Sequence, residues 1–107
     1  MRFLATSILA QPARVAEIAA HYDAEARRVW ELSGAGTLRE AYFDQTERVA
    51  YLLLEAANEG HAREALASLP LTQSAIVDWR VVRLEGLPEL GALFARERIA
   101  PPSWWPC

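Results

Sequence analysis

Glu25 occupies the position that most invites chemistry. On a helical wheel at about 100° per residue, Val15, Ile18, Tyr22, Val29 and Leu32 form one apolar stripe, and Glu25 falls inside it instead of on the polar side. A carboxylate aimed at a core must be neutral, paired with an arginine, or open to a solvent-filled pocket, because burying it unpaired is costly. The first and third states suit a general acid or base with a raised pKa; the second makes it a structural carboxylate, paired with an arginine such as Arg80. Four further residues carry candidate roles. Glu40 and Tyr42 share one strand face, and a tyrosine hydroxyl beside a carboxylate suits donation to a carbonyl or enolate oxygen, although amphipathic packing uses the same pattern. In the run Val77-Asp78-Trp79-Arg80-Val81 the two charged residues alternate with apolar ones. Arg80 and Asp78 would there bind the anionic or carbonyl end of a substrate, or form a salt-bridge network at an interface. Trp79 would line the substrate pocket or simply fill the core.

Other chemistry is set aside by what the chain lacks. All 11 basic residues are arginine, so lysine Schiff bases and lysine general bases drop out. Cys107, the last residue, is the single cysteine, which leaves no internal disulfide and no cysteine metal cage within one chain, and fits a reducing, cytoplasmic setting. His21 and His61 are far apart in the chain, with no H-x-x-x-H pair, so no metal site is expected. No G-x-S-x-G, glycine-rich phosphate loop or dinucleotide fingerprint occurs. A net charge of −3 with no basic cluster gives no footing to nucleic acid or an anionic membrane surface. Mean hydropathy is near zero, and no apolar run approaches the roughly 18 residues of a membrane-spanning helix. The apolar start, residues 1–10, is interrupted by Thr6 and Ser7 and reads as a strand in preference to a secretion signal.

The elements that must position these residues are legible from periodicity and breakers. Phe3 to Leu9 reads as a strand, and Gln11-Pro12 leads into a first helix from Ala13 to Leu32, closed by Gly34 and Gly36. Residues 38–43 and 49–54 read as an antiparallel hairpin across the polar residues 44–48. Asn58 is the expected N-cap of a second helix, Glu59 to Leu69, which Pro70 stops; Ile76 to Leu84 is the last strand. The order βαββαβ predicts an α+β fold, a ferredoxin-like antiparallel sheet with both helices on one face. Leu4, Ile8, Tyr51 and Leu53 would leave apolar surface on the face the helices miss, which points to a dimer pairing sheet to sheet. At 107 residues the chain is one domain, spanning 1–85, followed by residues 86–107 as a short helix and a Pro/Trp-rich tail that packs on the same domain or on a partner subunit.

Glu25, the Glu31-Leu32 pair, Gly36, the run Leu66-Ala67-Ser68-Leu69-Pro70-Leu71 and Val81-Val82-Arg83-Leu84 together resemble the muconolactone isomerase family. The likeness covers about residues 1–85, and its most specific part is the Leu-Pro-Leu turn before the last strand. It implies a dimeric α/β barrel, a dimer or higher homo-oligomer, and a pocket between sheet and helices. There a proton is moved on an unsaturated lactone with no metal or organic cofactor. Glu25 carries over as the acid/base residue, whereas the basic neighbours it has in the isomerase are replaced here by Ala24 and Ala26. The leading expectation is an isomerase-type enzyme acting on a small lactone or cyclic enone, with Glu25 as base, Tyr42 as donor to the enolate and Arg80 holding the polar end. The alternatives are cofactor-free oxygenation of an aromatic or polyketide-like substrate, and a non-catalytic oligomeric module that binds a small ligand.

Overall fold

A computed structural model describes residues 1–87. The expected short helix and tail fall on residues outside these, apart from Gly86 and Leu87. The described chain runs β1 (Arg2–Leu9), α1 (Val15–Ala19), α2 (Tyr22–Gly34), β2 (Leu38–Asp44), β3 (Val49–Glu55), α3 (Glu59–Ala67), α4 (Pro70–Gln73) and β4 (Val77–Leu84). Its strands form one antiparallel sheet in the order β2-β3-β1-β4, which is the α+β, ferredoxin-like arrangement expected from the sequence.

Register assigns every strand residue to a face. Phe3 lies opposite Leu54 and Arg83, Ala5 opposite Leu52 and Val81, and Ser7 opposite Trp79. Because side chains alternate along a strand, these rungs share one side. Phe3, Ala5, Leu52, Leu54 and Trp79 meet Leu32 of α2, Ala62, Ala65 and Leu66 of α3, and Leu69 in a single buried cluster. The other rungs, Leu4 with Leu53 and Val82, Thr6 with Tyr51 and Arg80, and Ile8 with Asp78, line the face that no helix covers among the described residues. This is the open apolar face the sequence led us to expect.

The helical layer departs from expectation in two places. The continuous helix from Ala13 to Leu32 is instead two helices, broken at Ala20 and His21. The break separates Val15, 79% exposed on α1, from the α2 stripe; Tyr22, at the first position of α2, is also 70% exposed, and only Val29 and Leu32 further along α2 reach the core. The second helix, α3, does end ahead of Pro70, at Ala67, but Pro70 also opens a further helix that the sequence reading does not include. It sits at the first position of α4, where its missing N–H and fixed φ favour a new turn.

Local closures fix the remaining geometry. Gly36, at φ +80°, turns the chain out of α2, with Thr37 N–H donating to Leu32 C=O. Asp44 accepts from the backbone N–H groups of Thr46 and Glu47 and shapes the β2–β3 connection. Asn58 caps α3, its side-chain oxygen accepting from His61 N–H at 2.9 Å. Replacing Asn58 by Ala should therefore cost about 1 kcal/mol of stability in urea unfolding, and replacing it by Gly only a few tenths. Equal losses for the two variants would deny Asn58 that role.

Candidate functional site

Glu25 lies in the first turn of α2 and is half-buried against α4. Its Oε1 accepts from Leu71 N–H at 3.0 Å. Leu71 is the second residue of α4, so the carboxylate satisfies one of the amide donors that every helix start leaves open. Among the described residues, no arginine pairs with Glu25. A backbone N–H thus replaces the arginine that the sequence reading considered. Burial raises the Glu25 pKa above its ordinary value of 4.5, and the Leu71 hydrogen bond and the positive charge of His21 pull partly the other way. A carboxylate held by one oxygen and made more basic by desolvation has the properties of a general base.

Trp79 stands on the same side of the sheet. It is 8% exposed, within the core cluster, and its Nε1–H donates to Thr72 Oγ1 of α4 at 2.9 Å. Its ring is therefore a wall of the core beneath α4. Glu25 and Trp79 both grip this one-turn helix, so of the five candidates these two are brought together.

The other three are not brought to them. Tyr42, Tyr51, Thr6 and Arg80 form one row across the open face, one residue from each strand. Three strand spacings put Tyr42 and Arg80 about 14 Å apart between backbones, with the sheet itself between them and Glu25. Tyr42 O–H donates to Glu40 Oε1 at 2.8 Å, and the carboxylate it meets raises the tyrosine pKa. Asp78 Oδ1 accepts from the backbone N–H of Trp79 at 2.8 Å, covering an amide of the edge strand. Arg80 has no carboxylate within ion-pair distance among the described residues.

Sequence reasoning missed the backbone of Leu71 and the hydroxyl of Thr72, because Pro70 was read only as a stop. It also missed Arg28, which reaches from α2 to the end of α3: its Nε–H donates to Ser68 Oγ at 2.8 Å and Nη1–H to Glu31 at 3.1 Å. Arg28 lines an open cleft of about 430 Å³ together with Thr37, Glu55, His61 and Glu64, and Glu25 is not among its walls. Among the described residues, no group of three or more His, Cys, Asp or Glu side chains is placed to hold a metal ion, and no helix is long and apolar enough to cross a membrane.

Fold and site define a small ferredoxin-like α+β domain with a half-buried carboxylate between its helices. The solved structure of muconolactone isomerase has the same fold: TM-score 0.68 at 20% identity, over 82% of this chain and 92% of that one. So does 5-chloro-2-hydroxyhydroquinone dehydrochlorinase from Burkholderia phenoliruptrix, in complex with 2,5-dihydroxybenzoquinone, with TM-score 0.60 at 16% identity over 83% of this chain and 98% of that one. No protein-family model and no curated protein matches the chain by sequence. The likeness read from the Leu-Pro-Leu turn and the order of elements therefore holds at the level of the fold.

The environment of Glu25 has a consequence for stability. The folded chain holds the Glu25 proton more tightly than the unfolded chain, so stability is lost as pH rises from 4.5 through the raised folded value. Glu25→Gln has no charge to desolvate and keeps an oxygen for Leu71 N–H. Its Tm should gain on the wild type between about pH 4 and pH 7 in thermal scans. A Tm difference that stays flat over that interval contradicts the desolvation of Glu25.

Proposed function

We propose that the protein is a small cofactor-independent enzyme of the isomerase type, in which Glu25 moves a proton on a small unsaturated lactone or cyclic enone. The observation that carries this reading is the Glu25 carboxylate itself: anchored through Oε1 to Leu71 N–H, raised in basicity by burial, and paired with no arginine among the described residues. Its second oxygen, Oε2, would take a proton from the carbon α to the carbonyl, leaving an enolate, and return it at the γ carbon, so that the double bond shifts and nothing is consumed. Both structural neighbours support acid/base work on small oxygenated rings by their names, since one isomerises a lactone and the other removes the elements of HCl from a hydroxyhydroquinone.

The open face is assigned to a second copy of the chain. Leu4, Tyr51 and Leu53 are only partly covered, and Ile8, Val82 and Leu84 are exposed beside them. An apolar face this broad, rimmed by Glu40, Asp78 and Arg80, suits sheet-to-sheet pairing into the dimeric α/β barrel, with Asp78, Arg80 and Tyr42 inside the interface. Sedimentation should give a dimer or a higher oligomer for the wild type and a folded monomer for Leu53→Arg; a monomeric wild type removes this assignment.

A second reading rests on the same hydrogen bond: Glu25 serves only to cap α4, and the protein is a non-catalytic ligand-binding module. Proton exchange in deuterated buffer separates the two. With the parent butenolide, its methyl derivatives and cyclohexenone as probes, NMR should show deuterium entering α or γ to the carbonyl with wild type. The rate should fall about 100-fold or more in folded Glu25→Gln. No exchange with any probe, or full exchange with the variant, overturns the catalytic role of Glu25.

A further inference from the structure

The α4 turn is gripped from two sides by bonds to neighbouring residues. From α2, Glu25 Oε1 takes Leu71 N–H at 3.0 Å; from β4, the buried Trp79 indole donates to Thr72 Oγ1 at 2.9 Å. The turn itself has four residues, none buried, and opens on a proline with no N–H. One helical turn has no stability of its own, so its orientation follows from what holds it. Trp79 is held by the core cluster, and is thereby the more rigid of the two anchors.

We propose that Thr72 is a positioning residue for Glu25: by accepting from the Trp79 indole it fixes α4 so that Leu71 N–H meets Oε1 and leaves Oε2 for the substrate. Its catalytic consequence rests on the function proposed above, whereas the coupling between Trp79 and Glu25 is a property of the free protein. The groups around Glu25 make the coupling readable. His21, at the N-cap of α2, is the charged neighbour that acts on it, and α4 carries only Pro70, Leu71, Thr72 and Gln73, all uncharged. The Leu71 N–H is therefore the means by which α4 stabilises the carboxylate form, and a loosened α4 withdraws that stabilisation.

The test is a carboxyl-carbon NMR titration of Glu25 in the full chain, for wild type, Thr72→Val, Thr72→Ser and Trp79→Phe. Thr72→Val keeps the shape and removes the acceptor; Trp79→Phe keeps an aromatic ring and removes the donor. Both should raise the Glu25 midpoint by roughly half a pH unit or more and shift the Leu71 amide proton upfield. Thr72→Ser, which retains the hydroxyl, should restore the wild-type values. An unchanged or lowered midpoint in Trp79→Phe, or failure of Thr72→Ser to restore it, overturns the proposal, and either variant suffices should Thr72→Val not fold. Where wild type exchanges deuterium into a butenolide, the pH of half-maximal exchange should move with the Glu25 midpoint. If wild type exchanges nothing, the proposed reaction falls and the titration still decides the role of Thr72.

Discussion

A carboxylate drawn halfway out of water must recover the hydrogen bonds it gives up, and much of this molecule is arranged around how Glu25 recovers one. Its donor is a main-chain amide at the start of a helix of one turn, an amide that would itself lack a partner there. Each group solves the other's problem. The bond ties α2 to the segment that feeds the last strand, and because Ile76 follows directly and is buried, it also helps set where β4 begins. A contact between one side chain and one amide thus joins the first helical region to the final strand, 46 residues apart in the chain.

The sheet divides the remaining chemistry in two. Side chains on one face are committed to packing: Phe3 and Leu54 are almost wholly buried, and Trp79 spends its one polar atom on Thr72. On the other face, polar groups bond to near neighbours on their own strand, Tyr42 with Glu40 and Asp78 with the next amide. Among the described residues, the strand side chains of this second face have the sheet between them and Glu25. A reaction at Glu25 must therefore draw on the helical side and its backbone amides, while Arg80 and Tyr42 are placed for contact with whatever covers the open face.

Much of this was legible in the sequence, and the gaps have physical causes. Apolar runs bounded by polar or breaking residues located the first three strands and alternation the fourth, Asn58 marked its cap, and the wheel singled out Glu25, because each signal depends on a few adjacent residues. The break at Ala20 and His21 was hidden because neither residue is a helix breaker; the wheel then ran Val15 of α1 into a stripe that belongs to α2 alone. Pro70 carries opposite meanings at a helix interior and at a first helical turn, and local pattern does not choose between them. That Arg80 and Tyr42 lie on the face away from Glu25 was left open by the sequence for a different reason. Alternation says which residues share a face, but only packing of the helices says which face is theirs.

The turn after α4 shows how firmly the segment is specified. Ala75 has φ of +61°, a left-handed conformation that costs an L-residue other than glycine about 1 kcal/mol or more. Two backbone bonds hold it there, Ala75 N–H to Thr72 C=O and Ile76 N–H to Leu71 C=O, and the Ser74 hydroxyl donates to Leu71 C=O as well. Leu71 thereby has its carbonyl fixed from the strand side and its amide directed at Glu25. A relaxed linker would let that amide turn to water, where it would do nothing for the carboxylate. The strain at Ala75 and the indole bond to Thr72 act in the same direction: both narrow the orientations open to α4, and so make the Glu25 environment a property of the whole fold instead of one side chain's rotamer.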